Sequence, residues 1–159
     1  MKTIIDTFVA QLENFSADSG TKSNANFRLN FPNKRLTGYN KITMYCDAFN
    51  ADMYSVDVDT VLIQARGIYQ KNSISSATKG SCITIAQCSR PIYRNLSNAI
   101  VEKLDNIEFY GSSSPIEIGA IPTEITINLT NATQEEINLD TNANHYHLKL
   151  RFVCEYDEN

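Results

Sequence analysis

Tryptophan is absent from this chain of 159 residues, and glycine and histidine are scarce, at six and two. Without tryptophan, a broad stacking platform for sugars is not available. Neither GxGxxG nor GxxxxGK[ST] occurs, which removes the phosphate cradles of nucleotide enzymes. A serine or cysteine elbow of the GxSxG type is missing as well, and Gly80-Ser81-Cys82 is a loop entering a strand. No window holds the roughly twenty apolar residues of a helical membrane span. Asp6 interrupts the short apolar run of Met1–Ala10, so no signal peptide is expected. The net charge is -4 and the basic residues are scattered. Lys34 and Arg35 are the nearest thing to a basic cluster, too small to track a phosphate backbone, so nucleic acid is not an expected partner.

What is present suits one domain. A hydrophobic fraction of 42% in this length builds a core that needs neither disulfide nor metal. Cys46, Cys82, Cys88 and Cys154 show no CxxC spacing and each sits in an apolar, strand-like stretch, so reduced core thiols are expected. Asn14, Asn95, Asn128 and Asn131 each open an N-x-[ST] triplet, which in an Asn-rich chain is read as chance.

The clearest pattern is the last. In His145–Tyr156, residues Tyr146, Leu148, Leu150, Phe152, Cys154 and Tyr156 share one parity, and His147, Lys149, Arg151 and Glu155 share the other. Side chains alternate across a strand, so this is a long strand with one apolar face, which must be covered by a second layer. Ile121, Ile125, Ile127 and Leu129 repeat the pattern opposite Glu124, Thr126 and Asn128. Further strands are expected at Phe27–Phe31, Lys41–Phe49, Tyr54–Ala65, Cys82–Cys88 and Ile137–Leu139. Arg90–Gly111 is ambiguous, because Ile100, Val101, Leu104 and Ile107 have helical spacing while Ile107–Tyr110 looks extended. About eight strands with uneven connections predict an all-β fold, a two-sheet antiparallel β-sandwich of jelly-roll type. No internal repeat is found.

Ahead of the sandwich, expected over 21–159, residues 1–20 are expected as an N-terminal arm. Ile5, Phe8, Val9, Leu12 and Phe15 recur at three- and four-residue spacing, so Lys2–Phe15 is expected as a short amphipathic helix, and Ser16–Asn26 as a polar linker. These five residues are the candidate anchors of a helix or extended segment docked on a neighbouring subunit, the alternative being a helix folded back on its own domain. Deleting 1–20 is expected to leave a folded domain that assembles poorly.

Candidate chemistry is thin. An HxH pair in a strand, His145 and His147, sets two imidazoles on one face about 7 Å apart, as in a cupin-like metal site. A third ligand is missing nearby, since the nearest glutamate, Glu155, is at the far end of the strand. Two exposed histidines are therefore expected instead. Asp57 and Asp59, and Glu135 and Glu136, lack a surrounding ligand loop and are expected to be solvated. No catalytic, cofactor or metal residue is assigned.

The stretch Ile121-Pro122-Thr123-Glu124-Ile125-Thr126-Ile127-Asn128-Leu129, a polar turn, Ile137–Leu139, another turn, and His147-Leu148-Lys149-Leu150-Arg151-Phe152 resembles the end of small single-jelly-roll capsid proteins. These are the penton or minor capsid proteins of icosahedral DNA viruses. The resemblance implies a structural virion protein, a homo-pentamer around a vertex, with a major capsid protein as partner and no catalytic residues. The competing expectation is a receptor- or glycan-binding head using loops 71–81 and 111–120. A cupin-like metal enzyme comes third.

Overall fold

The computed structural model describes residues 1–35, 38–53, 56, 58–68, 82–103, 106–110, 115–139 and 144–158. Twelve strands follow one another: β1 (Lys2–Glu13), β2 (Ser19–Gly20), β3 (Asn24–Arg28), β4 (Lys41–Asp52), β5 (Thr60–Arg66), β6 (Ile83–Ser89), β7 (Ile92–Arg94), β8 (Ile100–Lys103), β9 (Asn106–Tyr110), β10 (Ile116–Ile118), β11 (Glu124–Thr130) and β12 (Tyr146–Glu158). Among the described residues the helical content is one 3-10 turn, Asn14–Ser16.

The strands form two antiparallel sheets, as expected of a β-sandwich. The first runs β1-β12-β4-β10, with β9 also paired to β4; the second runs β2-β3-β11-β5-β6. β7 and β8 make a separate hairpin. The pairing is nested: β1 with β12, β3 with β11, β4 with β9 and β10, β5 with β6. Successive nested pairs alternate between the sheets, so the chain behaves as one long folded-over ribbon wrapped around its own core.

That core is made by the apolar parities. Tyr146, Leu148, Leu150, Phe152 and Cys154 of β12 are buried, as are Met44 and Phe49 of β4, facing Ile125, Ile127 and Leu129 of β11 and Ile63 of β5. All four cysteines are free and buried. Desolvation pushes the Cys46 thiol up to about 12 and those of Cys88 and Cys154 up to about 11, so they behave as neutral core atoms. Gly67, at φ +92 just past β5, passes so close to β11 that a Cβ there would lie 2.7 Å from the Glu124 carbonyl oxygen.

The N-terminal expectation needs correction. Lys2–Phe15 is not an amphipathic helix: β1 pairs residue for residue with β12, from Lys2 opposite Glu158 to Glu13 opposite His147. A three- and four-residue spacing contains strand-compatible steps, and the partner offered by β12 overrides it. The β-branched run Thr3, Ile4, Ile5, Thr7 and Val9 was the sequence signal for a strand. Ser16–Asn26 is likewise no plain linker, since β2 turns back onto β3. Residues 1–20, expected as an arm ahead of a 21–159 sandwich, thus supply the edge strand of the first sheet.

Smaller differences concern element ends. The strand expected at Tyr54–Ala65 begins at Thr60, and Tyr54 and Asp57 lie outside the described residues. Ile137–Leu139 forms no strand; Ile137 and Leu139 are buried next to a single bridge between Thr130 and Glu136. The ambiguous Arg90–Gly111 stretch resolves into β7, β8 and β9, with Leu104 outside the described residues.

Candidate interaction surface

The surface begins at β1. Its even residues face inward, with Ala10 and Leu12 buried and Phe8 packed on the core. The Phe8 ring lies 5.3 Å from that of Phe31, and Phe31 lies 5.7 Å from Phe152, so Phe31 plugs the gap between the sheets beside the edge strand. Asp6, also inward, accepts a hydrogen bond of 3.1 Å from the Tyr39 hydroxyl. Burial raises the Tyr39 pKa, which keeps that hydroxyl a donor.

The odd residues face outward. Ile5 is 59% exposed and Val9 44% exposed, large values for aliphatic side chains on a regular strand. Val153 of β12 stands opposite Thr7, between them. The structure therefore divides the five expected anchors: Ile5 and Val9 are presented, Phe8 and Leu12 turn toward the core, and Phe15 lies beyond the strand. Phe15 is exposed at the 3-10 turn, its ring stacked 5.7 Å from His145 with the Lys22 ammonium 5.5 Å from its centroid.

Beside this aliphatic strip the outer face of the first sheet is polar and internally paired. Register in β12 and β4 shifts at Lys149/Leu150, so that Lys149 opposes Ala48 and Leu150 opposes Cys46, leaving Asp47 as the extra residue of a bulge. Arg151 donates to both Asp47 carboxylate oxygens and stacks 4.2 Å over the Tyr45 ring. Asn50 donates to Glu108, and Asn106 donates to Asn50 and Asp52. Lys41 lies 3.9 Å from Glu155.

His145 and His147 belong to this outer face. The His145 Nδ1 lies 3.0 Å from an Asp52 carboxylate oxygen, and His147 stands in register between Glu13 and Asn50. Among the described residues no group of three His, Cys, Asp or Glu gathers in a way that would hold a metal. No protein-family model matches the chain, and no curated protein matches it. Among the described residues no helix is long and apolar enough to cross a membrane.

Two features were not picked out from the sequence. Arg90 is buried and donates to the Met53 and Val56 carbonyls, fixing the segment that leads into β5. The β7–β8 hairpin ends in a turn held by Asn95, whose Oδ1 accepts from the Ser97 and Ala99 N–H groups at 3.0 and 2.9 Å. That turn leaves Leu96 fully exposed, with Tyr93 also exposed. The Asn-Leu-Ser triplet at Asn95 was the sequence signal for an Asx turn. A groove of about 470 Å³ lies between Arg28, Arg66 and Glu124, with Arg28 3.7 Å from Glu124. Loop 71–81, named above for a binding head, lies outside the described residues, as do residues 111–114 of loop 111–120.

Proposed function

We propose that this chain is a structural subunit of an icosahedral virus shell, a single jelly roll of penton or minor capsid type that assembles with its own copies and with a major capsid protein. The observation that carries the reading is the nested strand pairing. Four nested antiparallel pairs, alternating between two sheets, support a jelly-roll reading, in which two Greek keys share one ribbon. The polar groups of the first sheet's outer face serve one another across strands, as suits a rigid block, and its aliphatic residues are presented at one edge.

The experiment is recovery of the protein from purified particles, with its copy number measured against the major shell protein. A small fixed ratio together with a ring of five in light scattering supports the reading. Absence from particles, or enzymatic turnover by the isolated chain, overturns it.

A receptor-binding head is the second reading, favoured by the β7–β8 hairpin, where a preorganised turn presents Leu96 and Tyr93. It predicts that Leu96→Asp abolishes attachment to a receptor-bearing surface and leaves self-association intact.

A further inference from the structure

Among the described residues β1 is an edge strand of 12 residues, far longer than the strands that end the sheets elsewhere, β2 with 2, β10 with 3, β9 with 5 and β6 with 7. A sheet edge carries a row of backbone donors and acceptors that templates another strand, and natural edges are blunted by proline, bulges or central lysines. β1 has none of these. It contains no proline, its register with β12 runs without a shift, and its one lysine, Lys2, is at the end. Its inward carboxylate, Asp6, is engaged by Tyr39. The outward residues at its centre are aliphatic or threonine.

We infer that two copies of this chain join through β1, edge to edge and antiparallel, about a two-fold axis at Thr7, so that the first sheet continues across the dimer. The sequence of the strand chooses the register. Side chains keep to their own face only if paired residue numbers share parity. With the axis at Thr7, Ile5 meets the partner's Val9, and Val9 meets the partner's Ile5. The two exposed aliphatics of each copy then cover one another, flanked by Val153. An axis at Asp6 sets two carboxylates directly opposite, which is destabilising. An axis at Phe8 sets Ile5 against the partner's Gln11 and loses both aliphatic pairs. A second copy is the occupant because this register sets Ile5 and Val9 of each copy against one another, and a two-fold contact closes both edges at once. This goes beyond the shell reading, since such a dimer forms whether or not the protein belongs to a particle.

The test uses the whole chain in solution. Ile5→Lys/Val9→Lys places like charges opposite each other twice across the axis, whereas Ile5→Lys/Val9→Glu places opposite charges there. Both positions face outward, so each variant should keep the parent's far-UV circular dichroism and a single cooperative melt. The expected result in sedimentation is a parent made of two units joined at β1, either two chains or two rings of five, a double-lysine variant of half that mass, and a Lys/Glu variant restored to the parent mass. Thr7→Cys provides a second measurement, independent of whether the charged variants fold. It should give a covalent dimer on mild oxidation, because directly opposed strand residues lie within disulfide range. A parent that stays monomeric, with no Thr7→Cys cross-link, overturns the inference. So does an assembly unchanged by the double-lysine substitution; a ring of five that persists in that variant leaves the shell reading standing and removes only this contact.

Discussion

Arg151 and Asp47 face each other across a bulge: Nε and Nη2 of the arginine reach the two carboxylate oxygens at 2.8 and 3.2 Å. Regular alternation from Tyr45 already turns Asp47 to the outer face, and the bulge puts Ala48 instead of Asp47 opposite Lys149, leaving the carboxylate to Arg151. The pair is partly shielded, with side-chain exposures of 30% and 18%, and the Tyr45 ring covers one side of the guanidinium.

Because the fork and the stacking both depend on a planar guanidinium, Arg151→Lys should behave much like Arg151→Ala. A double-mutant cycle with Asp47→Ala, read by denaturant unfolding, should give a coupling of about 1 kcal/mol, between the values for exposed and charge-assisted pairs. A coupling indistinguishable from zero would show that the bulge serves another purpose.

The alternation in β1 predicts a parity in its alanine scan. Leu12→Ala removes a buried side chain and should cost about 2–5 kcal/mol, while Ile5→Ala and Val9→Ala in the monomer should stay within about 0.5 kcal/mol. Equal losses at all three positions would contradict the strand.

Deletion of residues 1–20 should now be expected to damage the fold rather than spare it. It removes one of the two partners of β12 and uncovers its side of Leu148, Leu150 and Phe152, so the cooperative thermal transition should broaden or disappear. A truncated chain that melts as sharply as the parent would restore the view of 1–20 as a separable arm.

Asn14 closes the start of β12, its Oδ1 accepting the buried Tyr146 N–H at 3.0 Å. Asn14→Ala strands that donor and should cost about 1–3 kcal/mol. Asn14→Asp keeps an acceptor at the same place and should recover part of the loss, a comparison best made by chemical denaturation at neutral pH.

Alkaline stability should follow the cysteines. The Cys46 thiol has its pKa raised from 9.0 to about 12 by burial, so between these values the unfolded chain gives up a proton that the folded chain keeps. The unfolded state then binds fewer protons, and stability falls as pH rises, by up to about 1.4 kcal/mol per pH unit for each such group. The benefit is whole below about pH 9. Cys46→Ala should flatten the decline of the melting temperature between pH 9 and 11; an unchanged slope would mean that the thiol is not what titrates.

Much of the architecture was legible because strand parity is a local property. The buried faces of β11 and β12 follow from Ile125, Ile127 and Leu129 and from Leu148, Leu150 and Phe152, and no other layout hides those residues. β1 was misread because Phe8 and Leu12 satisfy the helical and strand periods at once, and only the partner strand separates them. The bulge at Asp47 left no trace in the composition of Lys41–Asp52, since it is a property of the pairing and not of either strand.

Sequence alone therefore determined that this protein is all-β with oily faces closing on each other, because alternation of side chains needs only neighbours in the chain. Which strands lie side by side, that Ile5 and Val9 are exposed while Leu12 is not, and that β1 stands at the end of its sheet among the described residues were decided by the tertiary structure. Those outcomes depend on contacts between residues more than a hundred positions apart, such as Lys2 with Glu158, whose formation no local pattern encodes.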